Sequence, residues 1–212
     1  MCKDTQKNGM QGDFPRVVAA PGDSVALQYL ENGHITRKLN PRPIRQGSVY
    51  IYGTKNPSDA HTFNSIHKNW KKDGTSAEGK LLATRFYDDG LCYQVNPASE
   101  VYRTRSAASG ILNAEVPCQS DVQLPEDAGA DGTYTLYWVW DFALMNAGSG
   151  RVETPEFYTA CIDVAMTGTA ADGGDANAPS GDRAVKTQME SQFLVDPLAE
   201  NVVDPMWTKG AR

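Results

Sequence analysis

Residues 133–141 read TYTLYWVWD, and this stretch decides the fold. β-Branched and aromatic residues fill it, and they fit a pleated, buried surface. Alternation puts Tyr134, Leu136, Trp138 and Trp140 on one face, and Thr133, Thr135, Tyr137 and Val139 on the other. Two tryptophans on one face of a central strand read as core. Downstream, FYTACIDVAM over 157–166 reads as the last strand. Upstream, strands are expected at 16–20 and 24–29 around the turn Pro21-Gly22-Asp23. Further strands are expected at 48–52 (SVYIY), before Gly53, and at 80–87, closed by Asp88-Asp89-Gly90. Phe63, Ile66, His67 and Trp70 stand at helical spacing, which predicts a short helix or an irregular turn over 60–70. Turn-punctuated strands without βαβ alternation or a phosphate loop point to an all-β sandwich.

The character changes after Met166. Residues 168–181 form an Ala/Asp/Gly/Ser/Pro linker without an apolar period. An amphipathic element is expected around 185–195, followed by a polar, proline-punctuated end. The expected organisation is therefore a sandwich over 1–166 and a linker with a C-terminal tail over 167–212.

Composition narrows the function. Of the 212 residues, 40% are apolar and 22% charged, enough for a packed core. No run approaches the roughly 18–20 apolar residues of a spanning helix, so no membrane span is expected. A formal charge of −6 disfavours a face that neutralises phosphates, so nucleic acid is not an expected partner.

Four dispersed cysteines, Cys2, Cys92, Cys118 and Cys161, contain no CxxC pair and so no zinc-knuckle spacing. They read either as two disulfides in an oxidising compartment or as four buried thiols. The first residues, Met1-Cys2-Lys3-Asp4-Thr5, carry no apolar signal region. The sequence is then either cytosolic or a fragment that starts downstream of its true beginning. It contains no Asn-x-Ser/Thr acceptor, since Asn56 precedes Pro57.

Common catalytic motifs are absent: GxSxG, HExxH, a Walker loop and GxGxxG. Asp88-Asp89 reads as a solvated turn. Of the three histidines, His34 lies in a turn-like segment, Glu31-Asn32-Gly33-His34-Ile35-Thr36. His61 and His67 lack the i, i+4 placement of a helical metal pair and read as polar or packing residues. A blue-copper centre built on Cys161 is rejected, because no suitably spaced histidine or methionine follows it.

Three segments in order carry a resemblance. They are Ala20-Pro21-Gly22-Asp23-Ser24-Val25 with Asn32-Gly33-His34, then Tyr134 to Asp141, then Pro155-Glu156-Phe157-Tyr158-Thr159-Ala160-Cys161. Together with Met1-Cys2-Lys3, Tyr52-Gly53-Thr54 and Asp88-Asp89-Gly90-Leu91-Cys92-Tyr93-Gln94, the set resembles fungal lytic polysaccharide monooxygenases and their uncharacterised secreted relatives. The resemblance spans roughly 1–166. It implies an immunoglobulin-like, fibronectin III-like antiparallel β-sandwich with long loops. It also implies a secreted protein, a polysaccharide substrate, an external electron donor and a copper cofactor held in a histidine brace. His34 matches the second brace histidine, Tyr158 the axial tyrosine and Glu156 the outer residue that hydrogen-bonds the reacting oxygen. By the same analogy Cys2 pairs with Cys161, and Cys92 with Cys118.

One departure bears on activity. In those relatives a segment beginning with the brace histidine precedes the Met-Cys element, and here the sequence begins at Met1. A terminal amine and its imidazole are then missing from the ligand set, so the chain as written is not expected to be a competent monooxygenase. No histidine between Asp141 and Glu156 matches the one that assists oxygen chemistry in cellulose-active relatives. The alternative expectation is a non-catalytic carbohydrate-binding or cell-wall β-sandwich module.

Overall fold

Strand β6 (Thr133–Met145) is buried along nearly its whole length, and the rest of the molecule is arranged on its two faces. The computed structural model describes residues 1–6, 15–37, 42–146, 148–168, 188, 192 and 193. Its other strands are β1 (Val17–Ala19), β2 (Ser24–Tyr29), β3 (Ser48–Thr54), β4 (Lys80–Phe86), β5 (Cys118–Gln123) and β7 (Val152–Met166). A five-stranded sheet runs β1-β7-β6-β3-β4, and β2 and β5 form a two-stranded sheet facing it. The protein is an all-β sandwich. Every pairing is antiparallel except β1 with β7, which is parallel.

Alternation builds two cores. Leu136, Trp138, Trp140 and Phe142 turn inward with Val49 and Ile51 of β3 and meet Val25, Leu27 and Val122 of the small sheet. The opposite face carries Tyr137 and Val139, which pack with Tyr50, Tyr52, Ile66, Trp70 and Cys161. The covering segment holds the short helix α1 (Phe63–Ile66), which fulfils the expectation for 60–70. Thr62 caps it, accepting from the Ser65 N–H at 3.2 Å while the Ser65 hydroxyl side accepts the Thr62 N–H at 2.9 Å.

His67 and Asp141 are buried under this segment. The Tyr52 hydroxyl lies 3.1 Å from His67 Nδ1 and accepts the Lys68 N–H at 2.9 Å. His67 Nε2 donates to Asp141 at 3.4 Å, and Lys68 Nζ meets the same carboxylate oxygen at 2.6 Å. Burial alone would raise the Asp141 carboxyl. Hydrogen bonds from His67 and Lys68, with the charge of Lys68, outweigh it and hold the carboxyl below its usual range. A carboxyl depressed on folding contributes fully above its unfolded pKa, about 4, and the contribution vanishes as pH falls through the lower folded value. The stability gap between the native chain and Asp141→Asn should therefore shrink as pH drops below about 4. Urea unfolding at stepped pH measures it, and a gap that does not vary with pH refutes the assignment.

Arg85 on β4 is 1% exposed. Its guanidinium donates to the Asp121 carbonyl at 2.9 Å, the Gln188 carbonyl at 3.1 Å and Gln192 Oε1 at 2.5 Å. Gln188 in turn accepts the Asp121 N–H at 2.7 Å, and the Gln192 carbonyl accepts the Thr84 N–H at 2.8 Å. Residues well beyond Met166 thus seal the gap between β4 and β5. Apart from Gln188, Gln192 and Phe193, the amphipathic element expected over 185–195 lies outside the described residues, as does the linker from 169 onward.

A second helix, α2 (Glu100–Ser109), begins at the Ser99 cap and ends at Gly110, whose φ is 71°. Asp88 and Asp89 are buried, at 8% and 7% exposure, and do not form the solvated turn expected of them. Asp88 is gripped by Arg105 at 2.7 and 2.8 Å. Asp89 accepts the N–H groups of Leu91, Cys92 and Gln119 at 2.7–2.9 Å. The acidic pair organises the junction of α2, β5 and the loop that follows β4.

Candidate functional site

The site grows from the turn after β2. Asn32 and Gly33 adopt φ of 48° and 80°, the left-handed region that asparagine tolerates and glycine occupies freely. The buried Glu31 carboxylate accepts the Ile35 N–H at 2.7 Å and the Thr36 hydroxyl, which closes the turn. Arg42 binds the His34 carbonyl, and it donates to the Arg37 carbonyl at 2.6 Å. These contacts fix the backbone on both sides of His34 and lay its ring over the far end of β6.

The half-buried His34 ring meets Trp140 edge-on at 4.7 Å between centroids, Phe142 at 5.1 Å and Tyr158 at 6.2 Å. The register pairs Trp140 with Tyr158 and Phe142 with Glu156, so all four side chains share one sheet face. Tyr158 stacks on Trp140 at 4.8 Å, and Trp140 stacks on Tyr87 at 3.7 Å. The Trp140 indole N–H reaches the Gln46 carbonyl at 2.7 Å, which anchors the centre of the stack. Tyr158, 42% exposed, donates its hydroxyl proton to Glu156 at 2.8 Å.

Burial lowers the His34 imidazole pKa, and the Arg42 charge lowers it further, against a smaller pull from Glu31 and Glu156. The ring is thereby kept neutral at neutral pH, the form that binds a metal. Burial, the hydrogen bond to Glu156 and the carboxylate charge all raise the Tyr158 phenol, so it remains protonated.

The donor set decides how well copper fits. Imidazole nitrogen suits Cu(II), and a phenol and a carboxylate beside it suit the flank of such a site. Among the described residues, however, His34 is the one nitrogen donor there. His61 and His67 lie on the opposite face of the sheet, engaged with Tyr137 and with Tyr52 and Asp141. The residues present supply one imidazole, one phenol and one carboxylate, and the chain's other two histidines do not reach them. The one cluster of three close metal-ligating side chains among the described residues is Asp88, Asp89 and Cys92. Its cysteine is spent in a disulfide and its carboxylates in the contacts given above.

Disulfides join Cys2 to Cys161 and Cys92 to Cys118, the pairing the resemblance implies. The first fastens the N-terminal strap to β7 three residues beyond Tyr158, on the opposite sheet face. Phe157 also points to that face and packs on Phe63 at 4.8 Å.

Fold and site together define a disulfide-bonded all-β sandwich with a histidine–tyrosine–carboxylate constellation at one end of its long central strands. The chain belongs to the family described as a domain of unknown function, DUF7492, which matches residues 1–193. No curated protein matches it. Among solved structures it is similar to a cellulose-active polysaccharide monooxygenase from M. thermophila, at 17% identity and a TM-score of 0.37. The match covers 83% of this chain, which spans 64% of that protein's chain.

Proposed function

We propose that the constellation of His34, Tyr158 and Glu156 is part of a copper-dependent oxidative site that acts on a polysaccharide. The observation that carries the proposal is the meeting of a neutral loop imidazole with a phenol 124 residues away in sequence, the phenol being bonded to a carboxylate. Copper, when bound, would supply one-electron chemistry in which dioxygen is the oxidant, an external donor provides the electrons that reduce it together with those of the substrate, and a carbon at the glycosidic bond is oxidised. His34 would hold the metal through a ring nitrogen. Tyr158 would flank the metal with its phenol, and Glu156 would fix the phenol's orientation and offer a hydrogen-bond acceptor beside it. Trp140 and Phe142 wall the imidazole on the protein side and exclude water from it. Two disulfides fit an oxidising compartment, and we infer that the protein is secreted.

The test is Cu(II) titration of the chain extended upstream by a segment that begins with histidine. Electron paramagnetic resonance should report imidazole nitrogen on the metal, and His34→Ala should weaken affinity more than tenfold. Oxidised oligosaccharides should appear from a polysaccharide given a reductant, and disappear in the variant. Equal copper affinity in His34→Ala overturns the proposal. The half-exposed Tyr158 ring favours a second reading, a carbohydrate-binding module. It predicts polysaccharide retention that depends on Tyr158, with no oxidised product.

A further inference from the structure

The outer face of the large sheet holds a cavity of about 410 Å³ that the oxidative site does not use. Its floor is Thr135 and Tyr137 of β6 with Asp163 of β7, and its walls are the 57–61 loop and the strap of Met1, Cys2 and Gln6. Asp163 is 2% exposed. One carboxylate oxygen accepts the Thr135 hydroxyl at 2.6 Å, and the other, Oδ2, is buried without a hydrogen-bond partner. A buried charged acceptor left unmatched is costly, and such groups normally have a donor. Asp59 brings a second carboxylate to the exposed rim. His61 is engaged on both ring nitrogens: its Nδ1 is 3.0 Å from the Tyr137 hydroxyl and its Nε2 4.0 Å from Glu78. Burial pushes the Tyr137 phenol up to about 12, and the charges of Asp163 and Asp59 push in the same direction.

We propose that this cavity binds an organic ammonium group, with Asp163 as the anchoring carboxylate, Asp59 as the rim charge and the Tyr137 and His61 rings as its walls. Three observations select this chemistry. The site has two carboxylates and aromatic walls, which attract a cation on both counts. It holds no trio of metal-ligating side chains close enough to chelate a divalent ion. Its volume is far larger than the single water that could satisfy one oxygen. Free amines and amino sugars share this chemistry.

The experiment follows the His61 ring resonances by NMR during separate titrations with putrescine, glucosamine, methyl glucoside and calcium. Saturable shifts with putrescine or glucosamine are expected at millimolar concentration, and the stronger of the two identifies the source of the ammonium. Asp163→Asn keeps an oxygen for Thr135 and should fold, as circular dichroism will show. It should weaken binding about tenfold or more. Asp59→Asn, at the exposed rim, should weaken it about two- to threefold. The proposal is overturned if neither amine shifts His61, if Asp163→Asn binds as tightly as the native chain, or if methyl glucoside or calcium binds as well as the amines.

Discussion

Replacing Cys2 and Cys161 together by alanine is expected to remove about 5 kcal/mol of stability, because their bridge spans a sequence separation of 159 residues. The chain-entropy cost of closing a loop rises with its length, so the largest loop restrains the unfolded chain most. The Cys92–Cys118 bridge spans 26 residues, and the same relation gives about 3.5 kcal/mol for it. Urea unfolding of the two double variants tests the order. A loss of under about 1 kcal/mol for the first pair would show that the unfolded chain does not feel the constraint. The effect should also be local. The strap held by Cys2 includes Gln6, whose side chain accepts the Cys161 N–H at 3.3 Å, and Met1, whose carbonyl accepts the Thr159 hydroxyl at 3.0 Å. Loss of the bridge should therefore open the cavity over Asp163 as well as lower global stability.

Segments whose apolar period matched their burial were legible in the sequence. TYTLYWVWD carries its alternation openly, and β6 follows it to Met145. The strand at Ser24–Tyr29 falls where alternation and the Pro-Gly-Asp turn put it. Three features escaped. Strand β5, CQSDVQ, buries Gln119, Ser120 and Asp121, so it shows almost no apolar period. The Gln119 backbone is matched by Gln188 and Asp89, its side chain by Gln28, and the Ser120 hydroxyl by Tyr29, partners no local window contains. Helix α2 is mostly polar, and its signal lay in the Ser99 cap and Gly110 stop. Strand β7 starts at Val152 rather than at 157, because Pro155 and a run of exposed residues hide the alternation of its first residues. At the candidate site, an ordered set of motifs singled out His34, Glu156 and Tyr158, and the fold brings the three together. The role of Trp140 in joining them was not, since a core tryptophan and a site-forming one look alike in a strand. Nor was the Asp163 cavity, which depends on a strap, a loop and two strands meeting.

The two faces of β6 support different features of the fold. Its even residues lay an aromatic stack from the interior out to Tyr158, while its odd residues support the Asp141 network and the Asp163 cavity. A substitution on one face therefore reports on one site with little direct contact to the other.

Trp140→Ala is expected to cost about 3–5 kcal/mol, the usual penalty for emptying a large buried aromatic position. Trp140 is 3% exposed and touches Tyr87, Phe142, His34 and Tyr158 at centroid distances of 3.7–5.0 Å. Its removal takes away the surface on which both the imidazole and the phenol rest. Trp140→Phe separates packing from anchoring. It keeps a ring in the stack and deletes the indole N–H that the Gln46 carbonyl accepts, for a smaller loss of about 1–3 kcal/mol. The His34 ring protons should keep shifts close to native in the phenylalanine variant. In the alanine variant they should move towards those of a free histidine, because the neighbouring ring current is gone. Copper affinity of the histidine-extended chain should follow the same order, with the alanine variant weakest. If Trp140→Ala leaves the His34 resonances in place, the turn locked by Glu31 and Arg42 positions the imidazole alone, and the indole is core without a part in the site.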